Sequence, residues 1–524
     1  MSVYGQQLPA GWIDTELEAV VDVLDGDRVP VNARDRAKRS GNVPYYGATG
    51  QVGWIDDFLF DETLVLLGED GAPFFDKTRH VAYVISDKSW VNNHAHVLRA
   101  AQGVDSSLLR HQLNCVDYHA FVTGTTRWKL NQAPMRKIPL RIPPSAEQTR
   151  IADALDELFS DLDSGVKGLT NVREKLKLYR ASVLKAAVEG ELTAEWRAQH
   201  PKGEPASELL KRILAERHRR WEEEQLRKFK EKGQDLPNNW KAKYKEPVAP
   251  DTANLPPLPE GWCWSCGDAL FGFITSGSRG WARFCADEGA LFIRMGNLDH
   301  DSIRLDLREM QRVNPPAGTE GLRTRVVSRD ILISITADVG MIALVPDDIE
   351  EAYINQHVAL ARPVLPALGS FTAWYLSSPS GGQLHLKDLQ RGATKVGLGL
   401  DDIRNVAIPL PPLAEQETIV EAIEDQLSVI DHLESELEAK LKNAQALRQA
   451  ILRQAFTGQL VPQDPDDEPA SELLKRIVAE REQRNRDAAA AKRTTKTAKR
   501  VRTEGRWPRR PADGRRKKKQ QKGN

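Results

Sequence analysis

Two cysteines, Cys263 and Cys266, have the C-x-x-C spacing that is typical of many zinc sites. Such a site needs a second pair of Cys or His ligands, and neither Cys115 nor Cys285 is placed in the sequence to supply one. We therefore expect Cys263 and Cys266 to be apolar, buried side chains of a protein from a reducing compartment.

Four histidines in the first quarter of the chain could also bind a metal: His94, His96, His111 and His119. No carboxylate accompanies them at ligand spacing, so we expect them to be hydrogen-bonded residues of a sheet. The sequence predicts no metal site in this chain.

Motifs for catalysis are incomplete. The sequence contains no G-x-x-x-x-G-K-[ST] phosphate loop. Residues 314–317, Asn-Pro-Pro-Ala, resemble the Asn-Pro-Pro-aromatic signature of amino-methyltransferases, but Ala317 offers no ring to stack on a flipped base. A nuclease-like set of Asp347, Glu438 and Lys440 is undermined because the last two fall within a helical heptad pattern. We therefore predict a binding protein without an active site.

The sequence repeats itself over a long period. The block LPAGW at residues 8–12 returns as LPEGW at 258–262, and IPPSAEQ at 142–148 returns as LPPLAEQ at 410–416. The decapeptide EPASELLKRI at 204–213 recurs without change at 468–477. Each repeat predicts a globular part, a Pro-Pro segment, a long helix and a charged helix.

The long helices are predicted by apolar residues at steps of three and four, which follow each Pro-Pro pair and stop near Gly190 and Gly458. A run of about 40 residues makes a helix about 60 Å long. Two such helices can pair as a coiled coil, and we expect an antiparallel pair related by a pseudo-twofold axis. The alternative is that each helix packs only on its own globular part.

The globular parts mix short Val/Ile/Leu runs, at 63–67 and 331–335, with Gly, Asn and Asp turn signals. The fold class is therefore α/β (mixed α+β), with two globular domains separated by two long helices. The two globular sequences have diverged, and an Asn/His segment at 93–97 and 355–358 is one of few points that align.

These features predict seven segments. They are a first globular domain (1–144), a first long helix (145–192), a charged helix with a Pro-rich linker (193–257), a second globular domain (258–411), a second long helix (412–460), a charged helix (461–487) and a disordered basic tail (488–524). Within the third segment, the charged helix is expected at about 207–232.

The net charge of zero is the sum of two opposite parts. The 524-residue chain has 74 basic and 74 acidic residues, and residues 481–524 contain 18 basic and four acidic residues. The tail therefore carries +14 and the body −14. No apolar stretch approaches the ~18 residues of a membrane helix, and residues 1–9 do not form a signal peptide. We expect a cytoplasmic protein.

The paired blocks carry a family resemblance. Two divergent globular domains, each preceded by Leu-Pro-x-Gly-Trp and followed by Pro-Pro-x-Ala-Glu-Gln and a long helix, resemble the DNA-specificity subunit of type I restriction-modification systems. The resemblance covers about residues 1–480. The Pro-Pro-x-Ala-Glu-Gln motif followed by its helix is specific, because it occurs twice.

The resemblance implies a non-catalytic DNA-binding subunit. Each globular domain would be a target-recognition domain for one half of a bipartite sequence, and the helices would set the gap. Two modification subunits would bring S-adenosylmethionine for adenine methylation, and restriction subunits would bring ATP and Mg for translocation and cleavage. No cofactor is expected in this chain. The alternatives are a fused methyltransferase or nuclease, or a coiled-coil adaptor that binds proteins.

Contacts with double-stranded DNA require basic, hydroxyl and amide groups on loops that can approach the duplex. In the first domain the candidates are Tyr45, Tyr46, Thr49, Gln51, Lys77, Arg79, Arg127 and Lys129. In the second domain they are Thr275, Ser276, Ser278, Arg279, Trp281, Arg294, Asn297 and Lys395. For the partner subunits, the resemblance points to the starts of the long helices, with Glu147, Gln148, Glu415 and Gln416 as candidates; intramolecular packing is the alternative there.

Overall fold

The computed structural model of the chain describes residues 8–76, 78–277, 279–315, 319–389 and 397–504. The chain divides into two compact units, one made of residues 1–167 and 440–524 and the other of residues 168–439. Each unit contains one globular domain and parts of both long helices.

The first globular domain is built mainly from short strands. They are β1 (Ile13–Glu16), β2 (Val21–Val23), β3 (Val43–Gly47), β4 (Gly50–Ile55), β5 (Phe60–Asp61), β6 (Leu64–Gly68), β7 (Ala82–Ile85), β8 (Lys88–Val91), β9 (Ala95–Ala100), β10 (Val122–Thr123), β11 (Lys129–Leu130) and β12 (Pro139–Ile142). Its helices are α1 (Leu17–Val20), α2 (Ala33–Arg36), α3 (Ser106–Cys115) and α4 (Gln132–Arg136), with 3-10 turns at Asp25–Asp27 and Tyr118–Ala120.

Two four-stranded sheets form this domain, in the orders β2-β9-β6-β7 and β4-β3-β8-β5. Every residue of β6 is buried: Val65 and Leu67 pack into one apolar cluster, and Leu64 and Leu66 pack into another. Because both faces of this strand are covered, its sequence is a continuous apolar run rather than an alternating one. Strands β1 and β12 close the domain as an antiparallel pair in which Ile13 faces Ile142.

The second unit begins within helix α5 (Ser145–Val188), which α6 (Ala194–Gln199) and α7 (Ala206–Glu231) follow. The strands of its globular domain are β13 (Cys263–Cys266), β14 (Phe271–Ser276), β15 (Cys285–Ala286), β16 (Ala290–Ile293), β17 (Gln311–Val313), β18 (Ile331–Ser334), β19 (Ile342–Leu344), β20 (Ala352–Ile354), β21 (Val358–Pro363) and β22 (Ala407–Leu410). Its helices are α8 (Gly267–Leu270), α9 (Thr319–Thr324), α10 (Gly369–Ser377), α11 (Gly382–Asp388) and α12 (Leu400–Asn405), with 3-10 turns at Trp240–Lys243, Trp281–Phe284, Met295–Asn297 and Pro366–Leu368.

This domain also has two four-stranded sheets, β14-β21-β18-β19 and β15-β17-β16-β20. The pair β13 and β22 closes it, with Cys263 opposite Leu410. As in β6, all residues of β18 are buried, and alternate side chains enter different apolar clusters. The mixed α/β class predicted from the sequence is thus confirmed.

The two long helices contain 44 residues each, α5 and α13 (Leu413–Phe456). In the first unit the start of α5 shares an apolar cluster with the end of α13, through Ile151, Leu155, Ile451 and Phe456. In the second unit the end of α5 and the start of α13 contribute to another cluster, through residues such as Val183 and Ile423. Both clusters include globular-domain residues, so the helices pack on each other and on their domains.

The identical decapeptides begin two equivalent helices. Ala206, Leu209 and Ile213 of α7 are buried in the core of the second unit, and Ala470, Leu473 and Ile477 of helix α14 are buried in the core of the first. Helix α14 runs from Ala470 to Glu504. This corrects the disorder expected from residue 488: the alanine run 488–491 favours helix, and the helix continues through it. Residues 505–524 of the predicted tail lie outside the described residues.

Candidate nucleic-acid interface

The first turn of each long helix contains a buried glutamate that accepts a hydrogen bond from a tryptophan. The indole Nε1 of Trp12 donates to Oε2 of Glu147 at 3.0 Å, and that of Trp262 donates to Oε2 of Glu415 at 2.9 Å. The repeated Leu-Pro-x-Gly-Trp and Ala-Glu-Gln motifs therefore meet in space within each unit. They fix the globular domain to the start of the helix that follows it.

The glutamines beside these glutamates donate hydrogen bonds to the Pro-Pro segments that precede the long helices. Gln148 donates to the Pro143 carbonyl at 2.9 Å, and Gln416 donates to the Pro411 carbonyl at 2.8 Å. Glu147, Gln148, Glu415 and Gln416 are each at most 2% exposed. This corrects their prediction as partner contacts, because buried side chains already bonded within their own unit do not present a docking surface.

The two glutamates differ in their cationic neighbours. Arg197 forms an ion pair with Glu415 at 2.9 Å, and Thr193 donates to the same carboxylate at 2.8 Å. Near Glu147, the guanidinium of Arg150 pairs instead with Asp467 at 2.7 Å. Burial raises the pKa of Glu147. The two motifs are thus alike in sequence and different in electrostatics.

The first-domain candidates for DNA contact lie mainly around the β3–β4 turn. Thr49 and Gln51 are exposed there. Tyr46 is half-buried, and its ring packs against that of Tyr83 with centroids 6.0 Å apart. Tyr45 is only 1% exposed, and its hydroxyl donates to the Val31 carbonyl at 2.9 Å. The prediction for Tyr45 is therefore corrected: adjacent strand residues face opposite sides, and Tyr45 faces the core.

Three predicted cations of this domain, Arg79, Arg127 and Lys129, are exposed. Arg127 pairs with Asp70 at 2.7 Å, and Lys129 lies 3.5 Å from Glu69. Arg79 is exposed on a turn after β6. Lys77 lies outside the described residues. Sequence reasoning missed Val52 and Trp54, which are 49% and 55% exposed on the edge strand β4.

The second-domain candidates separate into exposed and buried sets. Arg279 and Arg294 are exposed, and Ser276 is half-buried at the end of β14. Trp281 is 2% exposed and stacks on Phe292 with centroids 5.9 Å apart. This burial corrects its prediction as a DNA contact. Ser278 and Lys395 lie outside the described residues, as do Pro316 and Ala317 of the Asn-Pro-Pro-Ala segment.

Two further candidates support the loops instead of projecting from them. The Asn297 carboxamide accepts from the Arg294 backbone at 2.9 Å and donates to the Asp306 carbonyl at 3.1 Å. Thr275 is 5% exposed, and its hydroxyl accepts from Arg323. Their predicted DNA contacts are therefore corrected to roles in holding the loops.

A groove of about 720 Å³ opens beside the loop that follows β16. Its lining includes Arg294, Gly296, Arg308, Asn355 and His357. Arg308 pairs with Asp306 at 2.7 Å, and Arg294 is exposed at the start of the loop. An exposed guanidinium at the rim of a groove can contact a phosphate or the edge of a guanine.

The groove forms where two parallel strands end side by side. Strand β16 pairs with β20 in parallel, and the backbone N–H of Asn355 donates to the Ile293 carbonyl at 3.0 Å. In the first domain β3 pairs with β8 in parallel, and the N–H of Asn92 donates to the Tyr46 carbonyl at 3.1 Å. Asn92 is therefore the counterpart of Asn355, one residue earlier than the alignment of 93–97 with 355–358 suggested.

The histidines considered as metal ligands have protein partners. Nδ1 of His96 lies 2.6 Å from Asp25, and Nε2 lies 2.8 Å from the Leu130 carbonyl. Asp25, Glu69 and His96 form a cluster that could in principle hold a cation. The positive charge beside these two carboxylates comes from Arg28, because its guanidinium lies 2.8 Å from Glu69 and 3.6 Å from Asp25. The cluster is thus an ion-pair network that ties the first 3-10 turn to the sheet.

The remaining candidate chemical groups also lie in structural settings. Cys266 is buried on β13 and its thiol donates to the Val248 carbonyl at 3.3 Å. Burial raises the pKa of both Cys263 and Cys266. Asp347 pairs with Arg329 at 2.9 Å. Over the described residues, no helix has the length and apolar character needed to span a membrane.

Comparisons with known proteins agree with this architecture. The family described as type I restriction modification DNA specificity domain matches residues 9–170 and 324–443, together more than half of the chain. The chain is 26% identical over 373 residues to the type I restriction enzyme EcoBI specificity subunit of Escherichia coli, covering 69% of each chain. It is 25% identical over 503 residues to the EcoDI specificity subunit of Escherichia coli, covering 91% of this chain and 96% of that one.

A solved structure has a similar fold. It was described under "Structural basis underlying complex assembly and conformational transition of the type I R-M system", and the match has a TM-score of 0.56 at 17% identity. It covers 87% of this chain and 100% of the other. The family match, the curated relatives and the fold lead to one conclusion: the chain belongs to the DNA specificity subunits of type I restriction-modification systems.

Proposed function

We propose that this chain is a non-catalytic scaffold that recognises a bipartite, asymmetric DNA sequence. Each globular domain reads one half-site, and helices α5 and α13 pair as an antiparallel coiled coil that sets the gap. Modification subunits carry S-adenosylmethionine and methylate adenine, and restriction subunits use ATP and Mg to translocate and cleave. The names of the curated relatives support the specificity role, and the division of labour extends it.

One observation carries this proposal: the same frame supports two different sets of loops. The Trp–Glu contact, the closing strand pair and the docked decapeptide helix recur in both units. The loops after β3 and β16 occupy equivalent positions and differ in sequence, Ala-Thr against Arg-Met-Gly-Asn. A constant frame with different loops suits the recognition of two unlike half-sites at a fixed spacing.

Contacts between the long helices support the gap-setting role. Arg180 near the end of α5 pairs with Asp431 and with Glu434 of α13, the latter at 3.0 Å. In the other unit, Arg448 of α13 pairs with Asp163 of α5. Ion pairs on the flanks of an apolar seam favour one register and one direction of two helices.

The test is to co-express the chain with a modification subunit of its own system and map methylated adenines across the host genome. We expect a split motif with two unlike halves and a single gap length. A continuous motif, or a split motif with variable gaps, would exclude the proposal. Methylation by this chain expressed without a partner would support the fused-methyltransferase alternative.

A further inference from the structure

The two domains share one turn that lies outside both the loops after β3 and β16 and the long helices. In the first domain the Asn92 carboxamide accepts from the backbone N–H of His94 at 2.8 Å. In the second, Asn355 accepts from the N–H of His357 at 3.0 Å. Both turns follow the second strand of a parallel pair, so Asn-x-His stands at the same place in each domain.

The middle residue of each turn is an exposed carboxamide, Asn93 in one domain and Gln356 in the other. The asparagine side chain of each turn is engaged by the turn's own hydrogen bond, and the middle side chain is more exposed than the histidine that follows it. Carboxamides can bond an adenine through both N6 and N7, because they combine a donor with an acceptor in one plane.

The second domain shows how the carboxamide is oriented. The amide nitrogen of Gln356 lies 3.2 Å from Nε2 of His357, and Nδ1 of that ring contacts the Thr336 hydroxyl. With its proton on Nδ1, His357 donates to Thr336 and accepts from the Gln356 amide. The second amide hydrogen and the carbonyl oxygen of Gln356 then remain for a base edge.

The two neighbours of Gln356 in this turn line the groove of about 720 Å³. Asn355 and His357 line it together with Arg294 and Gly296. A side chain added at Gly296 would meet no atom within 4 Å, which leaves the loop open to close approach. An exposed cation, an oriented carboxamide and an open loop are groups suited to the readout of a duplex in the major groove.

We propose that Gln356 and Asn93 are base-reading residues, each contacting an adenine in one of the two half-sites, with His357 positioning the Gln356 carboxamide. This inference rests on the proposed function, since it assigns one carboxamide to each half-site.

The experiment uses the full chain in complex with its modification subunits and measures binding to duplexes in which each half-site position is changed in turn. Gln356→Ala should reduce discrimination about 5- to 150-fold at one adenine of one half-site, and Asn93→Ala should do so in the other. Gln356→Glu should shift preference at that position towards cytosine, because a carboxylate accepts from its amino group. Gln234→Ala and Gln102→Ala, exposed carboxamides outside the turns, should leave both half-sites unchanged.

The positioning role of His357 has a separate readout. His357→Ala should lower discrimination at the same adenine as Gln356→Ala, and the double variant should lose no more than the single one. Unchanged discrimination in Gln356→Ala and Asn93→Ala, or a change in the same half-site for both, would overturn the inference. If the wild-type complex showed no split motif, the proposed function itself would fail, so the two failures are distinguishable.

Discussion

At the scale of single residues, the buried glutamates show how equal sequence motifs acquire unequal energetics. Trp12 and Trp262 make the same hydrogen bond, but the guanidinium of Arg197 neutralises Glu415. The motif predicts the glutamate and the tryptophan; it does not predict the cation, which comes from a segment between helices α5 and α7. We therefore expect the two units to respond differently to charge removal and to pH.

Replacing Arg197 with methionine leaves the 1% exposed carboxylate of Glu415 without its cation. Breaking a buried pair on one side costs about 3 kcal/mol, and we expect that loss in the second unit. Hydrogen exchange of β13 and β22, followed by mass spectrometry, measures it locally. Arg212→Met is the control, because Arg212 and Glu204 form an exposed pair worth less than about 1 kcal/mol. Equal losses in the two variants would contradict the account.

Glu147 should make the free energy of unfolding of the first unit fall as the pH rises, whereas an acid in a salt bridge makes it rise. Burial raises its pKa above the ordinary value of 4.5, so the ionised form costs folding free energy above the folded-state pKa. That cost should decline as the pH falls through the raised pKa and vanish below about 4.5. Glu147→Gln should therefore stabilise the first unit at neutral pH and remove this component, as measured by hydrogen exchange of β1 and β12 between about pH 7 and 5. The exposed Glu157→Gln control should show neither effect.

At the scale of elements, the ends of the helices could be predicted from the sequence more closely than the order of the strands. The Pro-Pro pairs start α5 and α13 where expected, and the helices end at Val188 and Phe456, before the predicted limits of 192 and 460. Gly190 and Gly458 explain this, because their φ angles of 74° and 70° end the helical conformation. The charged helix expected at about 207–232 is observed at Ala206–Glu231.

Gly190, just after the end of α5, lies where a side chain would not fit. A side chain at this position would meet the Arg197 guanidinium at 2.7 Å and the Pro259 ring at 2.8 Å, in a left-handed conformation that alanine disfavours. We expect Gly190→Ala to destabilise the second unit by about 1–3 kcal/mol. Gly168→Ala within α5 is the matched control, since nothing lies within 4 Å of it, and should stabilise by about 0.5–1 kcal/mol. Urea unfolding followed by circular dichroism compares the two, and destabilisation by both would refute the explanation.

The order of the strands could not be predicted in the same way. Strands β3 and β8 pair in parallel although a long stretch of chain separates their partners Tyr45 and Trp90. Local alternation carries no information about such a pairing, so the burial of Tyr45 was missed. The burial of Trp281 was missed for a related reason, because its 3-10 turn packs on Phe292 of β16 through a contact that is not local in sequence. The exposed candidates Thr49 and Arg294 were found because Gly-rich turns are marked locally in the sequence.

At the scale of the whole molecule, the uneven charge distribution predicts a further contact with DNA that does not depend on its sequence. Residues 505–524 contain nine basic residues and one acidic residue, whereas the rest of the chain is acidic. We expect deletion of 505–524 to weaken DNA binding and to flatten its salt dependence, because fewer counterions are released. The recognised sequence should stay the same. Titrations of specific and unrelated duplexes between about 50 and 200 mM salt decide this, and an unchanged salt slope would contradict it.

The central claim is that the helices measure the distance between the half-sites, and changing their length tests it most directly. Seven residues inserted after Lys167 in α5, together with seven after Ala439 in α13, lengthen each helix by about 10.5 Å, or roughly three base pairs. An insertion in α5 alone is the control for a disturbed pairing. Mapping of methylated adenines in cells that contain the modification subunits should show the same two half-sites with a gap longer by about three base pairs. An unchanged gap with intact methylation, or altered half-site bases, would contradict the account.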